Sequence, residues 1–280
     1  MKKLLLSKFI FLFALSMVFG QSDPMYKIPV DPAVRSGKLE NGMHYYIQKN
    51  KKPENRAELR LALKAGATSE DDDQRGIAHF VEHMAFNGTK NFKKNELVDY
   101  LESVGSKFGP DLNAYTSFDE TVYMLQARTD TFSYLDKGLL ILEDWASAVT
   151  FEDEEIDKER GVVESEWRSG LGPDQRMFYK YLPIVYKDSR YAERLPIGDP
   201  ETINNVSYET VRRFYKDWYR PDLMSVIVVG DIDVDTIEKE IKERFTILRH
   251  RTRIRYRCWN FTKSLLDFLF YRVYIYISNH

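Results

Sequence analysis

The sequence His79-Phe80-Val81-Glu82-His83 places two imidazoles and a carboxylate within about one helical turn. Side chains at positions i, i+3 and i+4 of an α-helix lie on one face, so both histidines can bind the same metal ion. Neutral imidazole is a preferred zinc ligand, and a carboxylate beside the ion can assist an activated water. These five residues therefore predict a zinc site on one helix. The alternative is an exposed amphipathic helix with two incidental histidines.

The pattern His-x-x-Glu-His is the inverted form of the His-Glu-x-x-His motif of metallopeptidases. Catalytic zinc sites use three protein ligands, and the only cysteine lies close to the C-terminus, so a third ligand must be histidine or carboxylate. Glu166 falls at helical spacing with Val162 and Val163 and can lie on an inward apolar face, which Glu159 would share. Glu164 lies about 200° around the helix from Glu166, so we expect it to be exposed. Acid-rich helices commonly present a solvated surface, so the pattern leaves both interpretations open.

The charge of the chain is unevenly distributed. Its 280 residues are 43% hydrophobic and 30% charged, which is enough for a buried core in one or two domains. The formal net charge is −2, but residues 1–20 carry three lysines and residues 249–280 carry seven Lys/Arg and one acid, which leaves −11 for residues 21–248. An acidic body of this kind argues against a nucleic-acid-binding surface.

The N-terminus has the pattern of a secretory signal peptide over residues 1–20. Two lysines form a basic start, and residues 9–19 form an apolar run that is too short to span a bilayer stably. Small residues at Val18 and Gly20 suit cleavage after Gly20. We therefore expect export to the periplasm or secretion, with no stable membrane anchor. A retained anchor is the alternative.

Apolar periodicity predicts strands and helices throughout residues 21–248. Period-2 patterns predict strands at 43–48, 58–65 and 224–229, and two further strands within 107–127. Period-3.6 patterns predict helices at 75–86, 95–104, 131–148, 152–169, 207–218 and 235–245. Because the alternation is irregular and several strands form hairpins, we predict an α+β fold, a mainly antiparallel mixed sheet with helices packed on one face.

Residues 249–280 differ from the body in composition. Five arginines alternate through residues 249–257, and an aromatic-rich stretch follows whose charges argue against a transmembrane helix. We interpret this tail as an anomalous, frame-shifted end that was not selected to pack. A basic membrane-surface helix is the alternative. Reading the coding DNA past the body in all frames tests the interpretation.

Four blocks of sequence, in order, resemble the pitrilysin/insulinase zinc metallopeptidases, the inverzincins. The first block, 79–89, contains the His-x-x-Glu-His helix and the residues that follow it, and the second, 113–123, resembles the family's substrate-binding strand. The third, 159–166, resembles the segment with the family's distal glutamate, and the fourth, 219–231, resembles the strand that ends the domain. The resemblance covers residues 40–245 and implies the N-terminal domain of that family. It implies an endopeptidase that hydrolyses extended peptides or unfolded protein segments with one zinc ion per chain.

The resemblance also implies roles for individual residues. His79, His83 and Glu166 correspond to the zinc ligands. Glu82 corresponds to the general base that deprotonates the metal-bound water and later protonates the leaving amine. Glu159 corresponds to a carboxylate that orients a ligand from behind, for which a plain surface acid is the alternative.

Asn113 and Ala114 correspond to edge-strand positions at which the family binds the substrate backbone by β-augmentation. An ordinary edge strand is the alternative. Members of the family pair this domain with further homologous domains, whose inner face closes a chamber and contributes an arginine and a tyrosine. We therefore expect this chain to work with a second homologous domain or chain. A non-catalytic peptide-binding subunit and a truncated inactive fragment are the alternatives.

Overall fold

A computed structural model describes residues 29, 31–94, 96–107 and 109–248 of the chain. The signal peptide expected at 1–20 and the anomalous tail expected at 249–280 lie outside the described residues. Both interpretations therefore stay predictions.

Six strands of the described chain form one mixed sheet. They are β1 (Arg35–Lys38), β2 (His44–Lys49), β3 (Arg56–Leu63), β4 (Leu112–Thr116), β5 (Thr121–Arg128) and β6 (Met224–Gly230). The strand order is β1-β2-β6-β3-β5-β4, and every neighbouring pair is antiparallel except β2 and β6, which are parallel. The mainly antiparallel mixed sheet that periodicity predicts is thus confirmed.

Strand β1 is the one strand that periodicity did not predict. Its four residues, Arg-Ser-Gly-Lys, are mostly exposed and show no apolar alternation. The hairpin to β2 turns at Gly42, which has φ 93°, a conformation that glycine adopts without steric strain. Pairing with β2, rather than burial of side chains, therefore makes β1 a strand.

Eight α-helices lie in the described ranges, six of them where periodicity predicts them. They are α1 (Ile77–Met84), α2 (Glu96–Ser103), α3 (Phe132–Ser147), α4 (Asp153–Ser169), α5 (Pro173–Val185), α6 (Pro200–Asn205), α7 (Tyr208–Trp218) and α8 (Val234–Phe245). Periodicity missed α5, which buries only Leu182, and α6, which has only six residues and begins at the capping side chain of Asp199. None of these eight helices is both long and apolar enough to cross a membrane.

The helices pack on one face of the sheet, as predicted. The main core combines buried side chains of that face, such as Leu59 and Leu125, with those of the helices. Helix α3 approaches the strands closely because Gly138 has no side chain, and a Cβ there would lie 3.0 Å from Leu59 Cδ2. The opposite face carries a small cluster of four buried strand residues, Ala62, Val122, Ile227 and Val229. Among the described residues this second cluster contains no helical side chain.

Candidate metal centre

Helix α1 carries the His-x-x-Glu-His sequence and is held inside the protein. It contacts β4, β5, α4 and α7, and seven of its eight residues are buried. Immediately after its last turn, the carbonyl of Ala85 accepts a hydrogen bond from Nε1 of the fully buried Trp145 at 3.0 Å. His79 is 9% exposed and Glu82 is 6% exposed. The alternative of an exposed amphipathic helix is therefore wrong.

The structure brings together His79 and His83 from α1 and Glu166 from α4. One ligand atom of each lies within 4.8 Å of the others. The two Nε2 atoms are 3.2 Å apart, and Glu166 Oε2 lies 3.3 Å from His83 Nε2 and 3.7 Å from His79 Nε2. Ligands about 2.0–2.1 Å from a tetrahedral zinc ion lie roughly 3.3–3.4 Å from one another. The three spacings therefore fit one zinc ion.

The electrostatic state of His79 also suits a metal ligand. Burial, followed by the charge of His83, lowers the pKa of His79 to about 4, so its imidazole is neutral near pH 7. A zinc ligand must present a neutral imidazole nitrogen. The other ring nitrogen, Nδ1, is buried and has no hydrogen-bond partner within the described part of the chain. Nδ1 therefore makes no hydrogen bond there that would turn Nε2 away from Glu166.

His83 is oriented from behind by Glu159. Its Nδ1–H donates to Glu159 Oε1 at 2.7 Å, and Glu159 Oε2 accepts a hydrogen bond from Asn87 Nδ2 at 2.6 Å. Burial lowers the pKa of His83, but the hydrogen bonds to Glu159 and Glu166 outweigh it and raise this pKa to about 10. Glu159 is only 9% exposed, so it is not a surface acid. The arrangement leaves Nε2 of His83 directed at Glu166, and a zinc ion bound at Nε2 would replace the proton that this high pKa keeps there.

Glu82 lies beside the histidines rather than among the three grouped atoms. Its Oε2 is 3.9 Å from His79 Nε2 and accepts a hydrogen bond from Thr116 Oγ1 at 3.0 Å. Burial raises the pKa of Glu82 to about 7. A carboxylate with this pKa can both take up and release a proton near neutral pH.

Helix α4 carries Glu166, and the residues on its inward face differ in part from those expected. Glu159 and Val163 face inward and are buried, and Glu166 continues this stripe at its open end with its side chain half exposed. Val162, expected on the inward face, is 51% exposed because it lies one residue off the stripe. Glu164 was expected to be exposed but is partly shielded by hydrogen bonds from Arg168 and Asn204.

Strand β4 is an edge of the sheet, as expected for a strand that carries Asn113 and Ala114. Hydrogen-bonded pairs alternate in an antiparallel ladder, and the pairs Asp111–Gln126 and Ser117–Glu120 are bonded. Ala114, three residues along from each, must therefore direct its backbone N–H and C=O away from β5. Its N–H donates to the side-chain Oδ1 of Asn113 at 2.9 Å.

The sequence analysis did not identify Thr116 and Asn87, two residues that contact the site. Thr116 lies two residues after Ala114, so period-2 alternation puts its side chain on the face of β4 that also buries Leu112. That signal was available from the sequence. Asn87 gave no signal for contact with Glu159, because the two are 72 positions apart and belong to different elements.

Comparison with protein families gives two matches that together span most of the described chain. Residues 45–175 match the model described as insulinase (peptidase family M16). Residues 205–264 match the model described as peptidase M16 inactive domain. The first match contains α1 and α4, which supply the three grouped side chains, and the edge strand β4.

Individual relatives and solved structures agree with these matches. The probable zinc protease PqqL of Haemophilus influenzae is 43% identical over 240 residues, covering 85% of this chain and 26% of that protein. The crystal structure of the first half of the periplasmic protease PqqL from Escherichia coli superposes with a TM-score of 0.79 at 38% identity, covering 85% of this chain and 51% of that one. The ferredoxin protease FusC, solved as a mutant with Arabidopsis ferredoxin, gives a TM-score of 0.75 at 30% identity over 81% of this chain and 25% of that one.

The chain therefore spans about a quarter of the length of the curated PqqL relatives that it matches. The matched family model, the superposed fold and the His-x-x-Glu-His helix all indicate the same family. The chain belongs to the pitrilysin/insulinase family of zinc metallopeptidases, peptidase family M16, as its N-terminal domain.

Proposed function

We propose that the chain is the zinc-bearing domain of an endopeptidase that cleaves extended peptides or unfolded protein segments. Nε2 of His79, Nε2 of His83 and Oε2 of Glu166 would hold one zinc ion. The observation that carries the proposal is the spacing of these three atoms, 3.2–3.7 Å, with a buried carboxylate beside them. The names of the relatives, which call them zinc proteases, support it.

In this proposal Glu82 transfers a proton from the attacking water to the leaving amine. A bound zinc ion would supply Lewis-acid activation of a water and of the peptide carbonyl. Glu82 would accept a proton from the attacking water at a carboxylate oxygen and give it to the nitrogen of the leaving amine. Thr116, by donating to Oε2, holds the carboxylate in one orientation. The raised pKa of Glu82, about 7, suits a group that must do both at neutral pH.

The substrate would bind as an added strand along β4. The backbone of Ala114 points outward at the edge of the sheet, and main-chain hydrogen bonds there hold an extended peptide without selecting its side chains. Thr116, two residues along the same strand, contacts Glu82, so a peptide on this edge would run beside the proton acceptor. In the free protein, the Ala114 N–H donates to Asn113 Oδ1, and a bound peptide would have to displace this hydrogen bond.

Replacing Ala114 with proline tests this binding mode. Proline removes the outward amide without removing a ladder hydrogen bond to β5, and edge strands tolerate proline. We expect kcat/KM for an unstructured peptide to fall on the order of tenfold, the equivalent of about one or two hydrogen bonds, with unchanged zinc content. Ala114→Ser, which keeps the amide, serves as the control. Unchanged cleavage by Ala114→Pro would remove β4 from the binding site.

Replacing Glu159 with glutamine tests its action through His83. The amide still accepts a hydrogen bond from Nδ1 but no longer carries the charge that makes the imidazole a stronger ligand. We expect zinc affinity, measured by competition with a chelator of known affinity, to fall about 10–100-fold. Glu155→Gln is the matched control, because Glu155 is a buried acid of the same helix that pairs with Lys94 and Lys158. Equal effects in both variants would contradict the role.

We also propose a location and a covering partner. Residues 1–20 would direct export, and the solved Escherichia coli relative is described as periplasmic, which supports a periplasmic location. A second homologous domain or chain would close a chamber over the site, as the four-fold greater length of the relatives suggests. Exposed apolar side chains on α5, such as Met177 and Ile184, are consistent with a covered surface.

One experiment separates this proposal from a peptide-binding subunit and from an inactive fragment. Zinc per chain is measured by elemental analysis, and cleavage of an unstructured fluorogenic peptide is measured on the same sample. One zinc with cleavage supports the endopeptidase. Zinc and peptide binding without turnover supports the binding subunit, and an aggregated product without zinc supports the fragment.

A further inference from the structure

The first turn of α1 is capped by a side chain from outside the helix. The N-cap residue is Gly76, with φ 96° and no side chain to accept the free amides of the turn. The N–H groups of Gly76 and Ala78 instead donate to Oε1 of Glu70, at 3.0 and 2.9 Å. His79 is the next residue. The turn that Glu70 caps therefore leads directly into the first predicted ligand.

Glu70 is an uncommon choice for this task. It is 0% exposed, and its second carboxyl oxygen, Oε2, is buried without a hydrogen-bond partner in the described ranges. Burial raises the pKa of Glu70 to about 8, although the two amides and the nearby arginines lower it. Buried polar atoms are nearly always paired, so an unpaired one calls for a reason. The paired oxygen, Oε1, is the one that holds the first turn of the metal-binding helix, so a structural task for this costly buried acid is on display there.

The loop before α1 is held by a segment that belongs to none of the four sequence blocks described above. Within residues 190–199, here termed the clamp segment, Arg190 donates through Nε to the carbonyl of Thr68 at 2.8 Å and through a second nitrogen to the carbonyl of Glu70. Arg194 is 1% exposed, donates to the Glu70 carbonyl at 3.5 Å and pairs with Asp72. Two arginines thus fix the backbone that presents the Glu70 carboxyl group.

The clamp segment also contacts the turn between β4 and β5. Tyr191 donates its hydroxyl to Asp119 Oδ2 at 2.6 Å, and Asp119 Oδ1 accepts from Thr68 Oγ1 at 2.9 Å. Asp119 lies three residues after Thr116, the residue that holds Glu82. One short segment therefore connects the loop before the metal-binding helix with the hairpin of β4 and β5, which carries Thr116.

The backbones meet without intervening side chains where the clamp segment crosses α1. A Cβ at Gly76 would lie 2.7 Å from Gly198 Cα, and Gly198 has φ 78°. The N–H of Asp199 donates to the Arg75 carbonyl at 3.4 Å. Contact this close requires glycine on both sides and leaves little freedom for the helix end to shift.

We propose that Glu70 and Arg194 are positioning residues of the metal centre: Glu70 fixes the first turn of α1, and Arg194 fixes Glu70. The inference rests on the proposed zinc site. His79 is the third residue of a helix whose first amides would otherwise be unpaired, and unpaired turns fray. A frayed first turn would move His79 relative to His83, which the second turn and Glu159 hold independently.

The test compares metal binding by five variants of the full chain with wild type. Glu70→Ala removes the acceptor of both amides, and Glu70→Gln restores it. Glu58→Ala is the control, because Glu58 is a partly buried acid whose pKa is also raised by burial but which accepts a hydrogen bond from Gln126 in the sheet. Arg220→Met is the control for Arg194→Met, because Arg220 is also a buried arginine that pairs with an aspartate, Asp222.

Zinc affinity is measured by chelator competition, and the visible absorption spectrum of the Co²⁺-substituted protein reports the coordination geometry. Circular dichroism verifies that each variant is folded. We expect Glu70→Ala and Arg194→Met to weaken zinc binding about tenfold and to change the Co²⁺ spectrum, with Glu70→Gln close to wild type and both controls unaffected. These readouts do not respond to a residue that only stabilises the fold.

Wild-type affinity and an unchanged Co²⁺ spectrum in folded Glu70→Ala and Arg194→Met would overturn the inference. Equal weakening in the controls would overturn it as well. If Glu70→Ala does not fold, Arg194→Met and its control decide the matter by the same two readouts. Failure of the wild-type chain to bind zinc would instead overturn the proposed function, so the two failures are distinguishable.

Discussion

Replacing Glu82 with glutamine should abolish peptide hydrolysis while leaving the zinc content at the wild-type value. Glutamine has nearly the same shape, and its amide oxygen can still accept the hydrogen bond from Thr116. It cannot accept a proton, however, so the reaction loses its general base. Removal of such a base costs about 10²–10⁴ in rate. The measurement is kcat for a fluorogenic peptide, made on whichever assembly of this domain cleaves it.

Retention of zinc follows from the position of Glu82. Its carboxylate stands 3.9 Å from His79 Nε2 and is not one of the three grouped ligand atoms. Glu164→Gln is the matched control, because it removes one negative charge from α4 on a side chain that bonds Arg168 and Asn204. We expect the control to cleave as wild type does. Substantial cleavage by Glu82→Gln would rule out Glu82 as the proton acceptor.

Replacing Glu166 with glutamine should remove tight zinc binding. The carboxylate Oε2 supplies the third ligand atom and the only negative charge among the three. The hydrogen bond with His83 lowers the pKa of Glu166, so the carboxylate is ionised at neutral pH. Loss of a group behind a ligand costs about 10–100-fold in metal affinity, and loss of the ligand itself should exceed about 100-fold.

The half-exposed position of Glu166 makes this variant informative. No buried cavity or unpaired buried charge is created, so the zinc-free variant should unfold at nearly the same temperature as the zinc-free wild type. Wild type should gain thermal stability when zinc is added, and Glu166→Gln should not, because only a ligand that binds the folded state stabilises it. Equal stabilisation of both proteins by zinc would show that the metal binds without Glu166.

Local periodicity was sufficient for most of the secondary structure. The six predicted helices and the five predicted strands occur close to their predicted positions, since each has an apolar face repeated at 3.6 or 2 residues. Elements without such a face were missed. Helix α5 exposes Met177 and Ile184, and β1 is a strand only by pairing with β2. The inward assignment of Val162 failed for a related reason: neighbouring helical positions differ by about 100°, so a stripe misplaced by one residue exchanges buried for exposed.

By itself, the sequence determined the pair of histidines, because positions i and i+4 of a helix meet whatever surrounds them. It also indicated Glu166, Glu159 and the edge strand, through the resemblance of ordered blocks to a known family. Only the tertiary structure decided how these parts are held. The bond from His83 to Glu159 spans 76 positions, that from Thr116 to Glu82 spans 34, and that from Arg190 to Glu70 spans 120. Periodicity records which face of an element is buried but not what packs against it, so such contacts arise only when the elements meet in the fold.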